Sequence, residues 1–242
     1  MGGPPFHILA KPEDVAERVI VAGDPARVRQ LAGYLENARL VNENRGFLVY
    51  TGEYKGVPVT VATHGIGAPS ATIVFEELRM LGAKLMVRLG TAGALVEGLG
   101  VGDFVVATGA AYLCNGNSIG MYTPGTCMPT APSPDVAYNL IEAARGLGEK
   151  VWVGPVFSSD AFYAEDPSFA KTWGSRGIVA VEMECAGLFA LGWLRGFKTG
   201  ALLVISDSLV EGKEEMLTAR ELAPRVEKAA RIVFEAAVAT EV

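Results

Sequence analysis

The sequence is poor in the residues that hold small secreted folds and zinc-binding folds together. It has three cysteines and two histidines among 242 residues, and no two cysteines form a Cys-x-x-Cys pair. So few cysteines argue against a secreted disulfide framework, and two histidines argue against a structural zinc site built from histidine. We therefore predict no metal site.

Long apolar runs and positive charge are also scarce. No run approaches the roughly 20 apolar residues that span a bilayer, and residues 1–5 do not have a signal-peptide pattern. The net charge of -6 at pH 7 argues against a nucleic-acid surface, because a phosphate backbone selects for a basic stripe. We expect a cytoplasmic protein that binds neither membranes nor nucleic acid.

The remaining composition is typical of a globular α/β protein. Half of the residues are apolar, which is enough for a full-sized core. The chain has no internal repeat or low-complexity linker, so we expect a single domain over residues 1–242. Short β-rich runs alternate with helical runs, and this alternation predicts a three-layer fold with a central sheet covered by helices on both faces. In such sheets ligands bind beyond the carboxyl ends of the strands.

Hydrophobic periodicity places the elements along the chain. The predicted strands are Arg18–Ala22, Leu40–Val41, Phe47–Glu53, Val57–Thr63, Lys84–Leu89, Asp103–Thr108, Val151–Phe157, Val179–Glu182 and Thr199–Ser206. The predicted helices are Arg27–Leu35, Ser70–Leu81, Asp135–Leu147, Cys185–Leu194 and Pro224–Ala239. The stretch Leu113–Pro134 is rich in Gly, Asn, Thr and Pro and is predicted to be a long surface excursion.

The first chemical signal is Gly23-Asp24-Pro25-Ala26-Arg27, which directly follows a strand. Asp24 is suited to cap a helix and Pro25 to be its first residue. Arg27 then lies in the first helical turn, where the helix dipole disfavours a cation. Its presence is explained if it shares an anion such as phosphate with the free N–H groups of that turn. The alternative is a solvated arginine beside Asp24.

Two further arginines are candidates for the same anion. Arg88 lies in an otherwise apolar strand, where a buried guanidinium must be paired. Its partner is either a carboxylate such as Glu77 or a phosphate, with Thr91 adding a donor. Arg45, in the run Asn42–Phe47, is a third candidate and taken by itself an ordinary loop charge.

Carboxylates follow two other predicted strands. Glu182 and Glu184 flank Met183 at a strand-to-helix junction, where they either stabilise the helix N-terminus or accept hydrogen bonds from neighbouring sugar hydroxyls. Asp207 follows Ser206 at the end of a strongly apolar strand. There it is either a helix cap or a general acid.

In this order the motifs resemble those of the purine nucleoside phosphorylase family, and within it archaeal phosphorylases of 5′-methylthioadenosine and purine nucleosides. The resemblance runs from His7 to the final helix and covers nearly the whole chain. Its most specific pieces are Gly23-Asp24-Pro25, Asn42–Phe47, Thr63–Gly67, Arg88–Thr91, Ser158–Tyr163, Val181–Glu184 and Ser206-Asp207.

The resemblance implies an activity and an assembly. The fold would be α/β with a central mixed sheet flanked by helices. The activity would be that of a pentosyltransferase, which converts purine nucleosides to free base and ribose 1-phosphate. Inorganic phosphate is then a substrate, and no cofactor or metal is required. The family usually forms a hexamer assembled from dimers, with active sites at the dimer interface, so a homo-oligomer, most simply a hexamer, is expected.

The resemblance also implies a role for each site residue. The phosphate ligands would be Gly23, Arg27, Arg88 and Thr91, together with Arg45 of a neighbouring subunit. The ribose ligands would be Glu182, Met183 and Glu184, together with His7 from across the dimer interface. Phe162 would stack on the base and Ser206 would support Asp207. The catalytic residues would be Glu184, which binds the 2′ and 3′ hydroxyls, and Asp207, which donates a proton to purine N7.

Three rival functions differ from this one in specific residues. Uridine phosphorylases read the pyrimidine with a Gln and an Arg near the segment that corresponds to Asp160–Asp166, and this segment has neither. A nucleosidase uses water and does not need the arginine cluster. A non-catalytic nucleoside-binding protein does not need an acid at Asp207.

Bacterial relatives of the resembled family place an arginine in the loop after the acid. Arg220 lies near that position, but residues 211–216 differ, so we assign Arg220 no role.

Overall fold

The computed structural model describes residues 4–164, 166, 168–210 and 217–242. Within these residues nine strands join one sheet. The strands are β1 (Arg18–Ala22), β2 (Glu36–Asn42), β3 (Val49–Tyr54), β4 (Val57–Thr63), β5 (Leu85–Ala94), β6 (Phe104–Ala111), β7 (Val151–Ser158), β8 (Ala180–Glu182) and β9 (Lys198–Ser208). The helices are α1 (Pro25–Ala32), α2 (Ala68–Met80), α3 (Ile119–Tyr122), α4 (Pro134–Gly146), α5 (Phe169–Gly174), α6 (Cys185–Arg195) and α7 (Ala219–Ala239).

The sheet is mixed and partly closed. Its strand order is β2-β3-β4-β1-β5-β8-β7-β6-β9, and β9 also pairs with β5. Strands β5, β8, β7, β6 and β9 therefore form a ring, from which β1, β4, β3 and β2 extend. Strand β1 is parallel to β4 and β5, and β5 is parallel to β9, whereas β8 is antiparallel to β5. The predicted central mixed sheet is confirmed.

Helices cover both faces of the sheet. Alternate residues of β1 enter different cores, because side chains of a strand point to opposite faces. Val19 and Val21 pack with α2 and α6, whereas Ile20 packs with α1, α4 and α7. Each core contains fully buried aromatic side chains, such as Phe75 in the first and Phe234 in the second. Burial of one such side chain contributes about 1.5–3 kcal/mol. The three-layer prediction is confirmed; the single domain over residues 1–242 stays a prediction.

Capping residues decide where two helices begin. Helix α1 begins at Pro25, two residues earlier than predicted, because the Asp24 carboxylate accepts a hydrogen bond from the Ala26 N–H at 2.8 Å. Helix α7 begins at Ala219 rather than at the predicted Pro224, since Thr218 and Glu221 form a capping box ahead of it. Periodicity alone misses both starts.

Other segments also differ from the predictions, and β2 begins at Glu36 rather than at the predicted Leu40. The excursion Leu113–Pro134 is not entirely on the surface, because it contains α3 and its Asn117 and Ile119 are buried. Strand β5 continues past the predicted end at Leu89, since pairing with β8 and β9 stabilises a run of small residues of low strand propensity. Helix α5 was not predicted. In the described part of the chain, no helix has the length and apolarity required to cross a membrane.

Candidate functional site

A cleft of about 1720 Å³ lies where several strands end. Gly23 follows β1, Glu182 ends β8, and Asp207 is near the end of β9. The predicted site residues that line the cleft are Gly23, Arg27, Arg88, Thr91, Phe162, Glu182, Met183, Glu184, Ser206 and Asp207. Because their elements are far apart in the sequence, the sheet topology is what brings them together.

Arg27 contributes a positive charge to the cleft from the first turn of α1. Its Nη1 donates a hydrogen bond to the Leu89 carbonyl at 3.4 Å. Burial lowers the pKa of Arg27, and the nearby charge of Arg88 lowers it further. Two guanidinium groups therefore share one partly desolvated space, an arrangement that favours an anion. Arg27 is half-buried at the cleft wall, not a fully solvated surface arginine.

The loop that carries Gly23 is packed too tightly for a side chain. A Cβ atom at Gly23 would lie 2.9 Å from the carbonyl oxygen of Gly65 and 3.4 Å from Cε1 of His64. The loops after β1 and β4 therefore touch at this position. Glycine is required here for close approach of two backbones.

Arg88 is buried and bonded to the two glutamates of β8 and the adjoining turn. Its Nε and Nη2 donate to Glu182 Oε2 at 3.3 and 3.1 Å, and Nη2 also donates to Glu184 Oε2 at 2.5 Å. Burial alone would lower the pKa of Arg88, but the carboxylates of Glu184 and Glu182 raise it. The alternative partner Glu77 is wrong: its carboxylate accepts hydrogen bonds from the backbone of residues 6–8 and lies 2.7 Å from His7 Nδ1.

The two glutamates have different surroundings. Glu182 accepts hydrogen bonds from the Ser158 hydroxyl and from the backbone N–H groups of Glu184 and Cys185, in addition to those from Arg88. Both carboxylate oxygens of Glu182 are thus occupied by hydrogen bonds within the protein. Glu182 stabilises the start of α6, which is one of the two roles that the sequence predicted for it. Its main effect is to hold Arg88 and the turn in place.

Glu184 keeps capacity for a ligand. Its Oε1 accepts a hydrogen bond from the Gly67 N–H at 2.7 Å, and its Oε2 contacts Arg88. Burial raises the pKa of Glu184, and the charge of Arg88 opposes this shift. Each carboxylate oxygen can accept about two hydrogen bonds. Glu184 can therefore accept donors from a bound molecule without losing its protein contacts.

Asp207 lines the cleft from the end of β9. The Ser206 hydroxyl donates to Asp207 Oδ1 at 2.6 Å, and a Cβ atom at Gly93 would lie 2.9 Å from Asp207 Oδ2. A register shift between β5 and β9 at Ala92 and Gly93 aims the carboxylate across this glycine. Phe162, with 54% of its surface exposed, lies at the rim and packs edge-to-face on Tyr163. An acid and an aromatic ring thus face the same space.

Two predicted site residues lie outside the cleft of their own chain. His7 lies in the N-terminal segment and contacts Glu77 of α2. Arg45 is exposed and has a left-handed φ of 56°. Arg220, to which the sequence assigned no role, lines a separate cavity of about 220 Å³ beside Asp24 and Arg27. Residues 211–216, which precede it, lie outside the described residues.

Two buried polar residues next to the site, His64 and Asn117, are not among the predicted site residues. His64 lies behind Arg88, with Nε2 3.3 Å from Arg88 Nη1. Its signal was the Thr63–Gly67 motif at the end of β4. Asn117 donates to the Met183 carbonyl at 3.0 Å and, through its backbone N–H, to Asp160 at 2.7 Å. Asn117 had no local signal, because the surrounding composition is that of an exposed loop.

Comparisons with known proteins give one consistent result. A family model described as the Phosphorylase superfamily matches residues 17–240. The guanosine phosphorylase of Halorubrum lacusprofundi is 36% identical over 238 residues, 96% of this chain and 98% of that protein. A DeoD-type purine nucleoside phosphorylase of Caldanaerobacter subterraneus is 38% identical over 210 residues, 86% of this chain and 90% of that protein. The crystal structure of a purine nucleoside phosphorylase from Toxoplasma gondii in complex with immucillin-H has a TM-score of 0.87 and 30% identity, and covers 98% of this chain and 97% of that one.

Proposed function

The chain belongs to the phosphorylase superfamily, and from this membership we propose that it is a purine nucleoside phosphorylase. It is a pentosyltransferase that converts a purine nucleoside and inorganic phosphate to the free base and ribose 1-phosphate. The relatives named as guanosine and purine nucleoside phosphorylases support this activity. The observation that carries the proposal is that Arg27, Arg88, Glu184 and Asp207 all line one cleft.

The phosphate is held at the end where the arginines converge. Arg27 and Arg88 supply the charge, Thr91 supplies a hydroxyl, and the loop at Gly23 lets the anion approach the start of α1. An anion at a helix N-terminus is stabilised by the helix dipole and by unpaired N–H groups. Guanidinium groups bind phosphate with paired hydrogen bonds, which also orient it.

The ribose lies between the phosphate and the base. Glu184 accepts hydrogen bonds from the 2′ and 3′ hydroxyls, Met183 provides an apolar surface, and Glu182 keeps the turn and Arg88 in position. The capacity of Glu184 to accept further donors supports its role as the ribose ligand. Because Glu182 is fully bonded within the protein, it contributes to ribose binding through its neighbours.

The base occupies the end near Asp207. Phe162 stacks on it, and Asp207, supported by Ser206, donates a proton to purine N7. The bond between ribose C1′ and purine N9 breaks with its electron pair going to the base, and the proton at N7 neutralises that charge. A phosphate oxygen forms the new bond to C1′ from the other face of the sugar. The transition state resembles an oxocarbenium ion, which the negative phosphate stabilises.

The proposal includes a shared active site and a cytoplasmic location. His7 and Arg45 do not line the cleft of their own chain, so a hexamer built from dimers would supply them from a neighbouring subunit: Arg45 to the phosphate and His7 to the 5′ end of the ribose. The three cysteines, Cys114, Cys127 and Cys185, are free thiols, which is compatible with a reducing compartment.

The test is base release with and without phosphate. Inosine, guanosine, adenosine, 5′-methylthioadenosine and uridine are compared side by side, and ribose 1-phosphate or its 5-methylthio analogue is quantified. We expect release from purine nucleosides only when phosphate is present. Equal release without phosphate would instead identify a nucleosidase. A preference for uridine would identify a uridine phosphorylase, and no release from any nucleoside would identify a binding protein. The purine comparison also identifies the preferred substrate.

A further inference from the structure

His64 is a fully buried histidine directly behind the proposed phosphate site. It follows β4, its backbone N–H donates to the Ala22 carbonyl at 2.9 Å, and its carbonyl accepts from the Ser70 hydroxyl at 2.8 Å. Its ring packs edge-to-face on Phe75. The imidazole is therefore fixed in one orientation against the loop of Gly23.

The contact with Arg88 determines which ring nitrogen carries the proton. Arg88 Nη1 lies 3.3 Å from His64 Nε2, and a guanidinium can only donate hydrogen bonds. Nε2 must therefore accept, and the ring proton is on Nδ1, which has no hydrogen-bond partner among the described residues. The opposite tautomer would place an N–H group against an N–H group. Burial first, and then the charge of Arg88, hold the pKa of His64 well below its usual 6.5, so the ring is neutral.

We propose that His64 is a positioning residue for phosphorolysis: as a neutral acceptor it fixes the guanidinium of Arg88 for phosphate. This inference rests on the proposed function. Glu182 bonds Nε and Nη2 of Arg88, Glu184 bonds Nη2, and His64 bonds Nη1. A third carboxylate at the position of His64 would also fix the guanidinium plane of Arg88, but its negative charge would repel the phosphate. A neutral ring orients Arg88 without that repulsion.

The decisive experiment separates positioning from packing with two substitutions. His64→Leu removes the acceptor, whereas His64→Gln retains an amide oxygen that can accept from Arg88. For His64→Leu we expect the KM for inorganic phosphate to rise about tenfold, the change expected for loss of one hydrogen bond to a charged group. The nucleoside KM should change much less. His64→Gln should restore most of the phosphate KM.

Thr63→Val is the matched control. Thr63 is the preceding residue, is equally buried, and its Oγ1 has no hydrogen-bond partner among the described residues. The substitution is nearly isosteric and should leave the phosphate KM unchanged. An unchanged phosphate KM in His64→Leu would overturn the inference. Equal increases in both KM values without rescue by His64→Gln would show that His64 serves only packing, and would also overturn it.

A spectroscopic readout does not depend on the substitutions at His64. The chain contains two histidines, so ¹⁵N-labelled histidine gives two imidazole spin systems in the assembled enzyme, and His7→Gln assigns them. At neutral pH we expect His64 to carry its proton on Nδ1, with Nε2 unprotonated. A proton on Nε2, or on both nitrogens, would overturn the inference even if the His64 variants fail to fold.

Arg88→Ala distinguishes failure of this inference from failure of the proposed function. If neither wild type nor any variant consumes phosphate, or if Arg88→Ala leaves the phosphate KM unchanged, the proposed phosphate site is wrong. If Arg88→Ala raises the phosphate KM and His64→Leu does not, the phosphate site stands and only the role of His64 is wrong.

Discussion

The Nη2 atom of Arg88 lies 2.5 Å from Oε2 of Glu184, although the two residues are 96 positions apart in the chain. Under the proposed function Arg88 binds phosphate and Glu184 binds the ribose hydroxyls, so the ligands of the two substrates are bonded to each other. Each substrate then binds to one partner of this ion pair. The two binding events are therefore physically coupled.

This contact predicts that phosphate and nucleoside strengthen each other's binding. When phosphate engages Arg88, Glu184 becomes a better acceptor for the ribose hydroxyls, and linkage makes the effect reciprocal. Calorimetry with a nucleoside analogue whose glycosidic bond is carbon–carbon should give at least about fivefold tighter binding in saturating phosphate. Glu184→Gln should remove most of this difference. Equal affinities with and without phosphate would contradict the coupling.

Arg88→Ala should impair phosphate use and stability together. The substitution removes a phosphate ligand and leaves Glu182 and Glu184 buried without their cation, which costs about 3–5 kcal/mol of unfolding free energy. We expect a phosphate KM raised by an order of magnitude or more, measured at saturating nucleoside, with denaturant unfolding in parallel. Arg231→Ala, which removes an exposed arginine paired with Glu227 on α7, is the control and should change neither quantity appreciably.

Asp207→Asn should lower turnover while substrate binding changes little. The substitution keeps the shape of the side chain but removes the acid, and loss of a general acid typically costs about 10²–10⁴ in rate. The kcat for inosine should fall by that factor. 7-Methylguanosine needs no proton at N7, so its kcat should fall far less. If both substrates lose the same factor, Asp207 does not act as the acid.

Gly23→Ala should weaken phosphate binding through the backbone. The new Cβ would lie 2.9 Å from the Gly65 carbonyl, so the loops after β1 and β4 must separate. We expect a raised phosphate KM and a lower unfolding midpoint. Gly146→Ala is the matched control, because a Cβ there meets nothing within 4 Å. A Gly23→Ala enzyme with normal phosphate kinetics would show that this loop is not near the anion.

The low pKa of His64 predicts a pH dependence of stability. When the pH is below 6.5, the usual pKa of histidine, His64 binds a proton in the unfolded state but not in the folded state. The stabilising contribution of His64 to folding is therefore fully present above pH 6.5 and is lost as the pH falls. The unfolding free energy should fall by at most about 1.4 kcal/mol per pH unit from this group. The raised pKa of Glu184 changes stability with pH in the opposite direction, but Glu184 is present in both wild type and His64→Gln.

The comparison of those two proteins isolates the contribution of His64. Denaturant unfolding is measured between about pH 5.5 and 7.5, the range in which an ordinary histidine titrates. The wild type should lose more stability than His64→Gln as the pH decreases. Parallel curves would mean that folding does not lower the pKa of His64, contrary to its burial beside Arg88.

Much of the fold could be predicted from local patterns. Strands such as β1 and β4 have the predicted bounds because apolar β-branched runs end at clear turn residues. Helix starts were less accurate, since capping boxes such as Thr218 and Glu221 shift them by several residues. The continuation of β5 through Gly90–Ala94 was missed because its stability comes from pairing with β8 and β9 and not from its own composition.

The sequence by itself determined the kind of chemistry: an arginine in the first turn after β1, a second in an apolar strand, and carboxylates after β8 and β9 are local features with local physical reasons. Only the tertiary structure decided which of these groups are bonded to each other. It paired Arg88 with Glu182 and Glu184 and left Glu77 to the N-terminal segment. It also placed His64 behind Arg88. Such contacts join residues that are far apart in the chain, and they depend on strand order, which no local pattern contains.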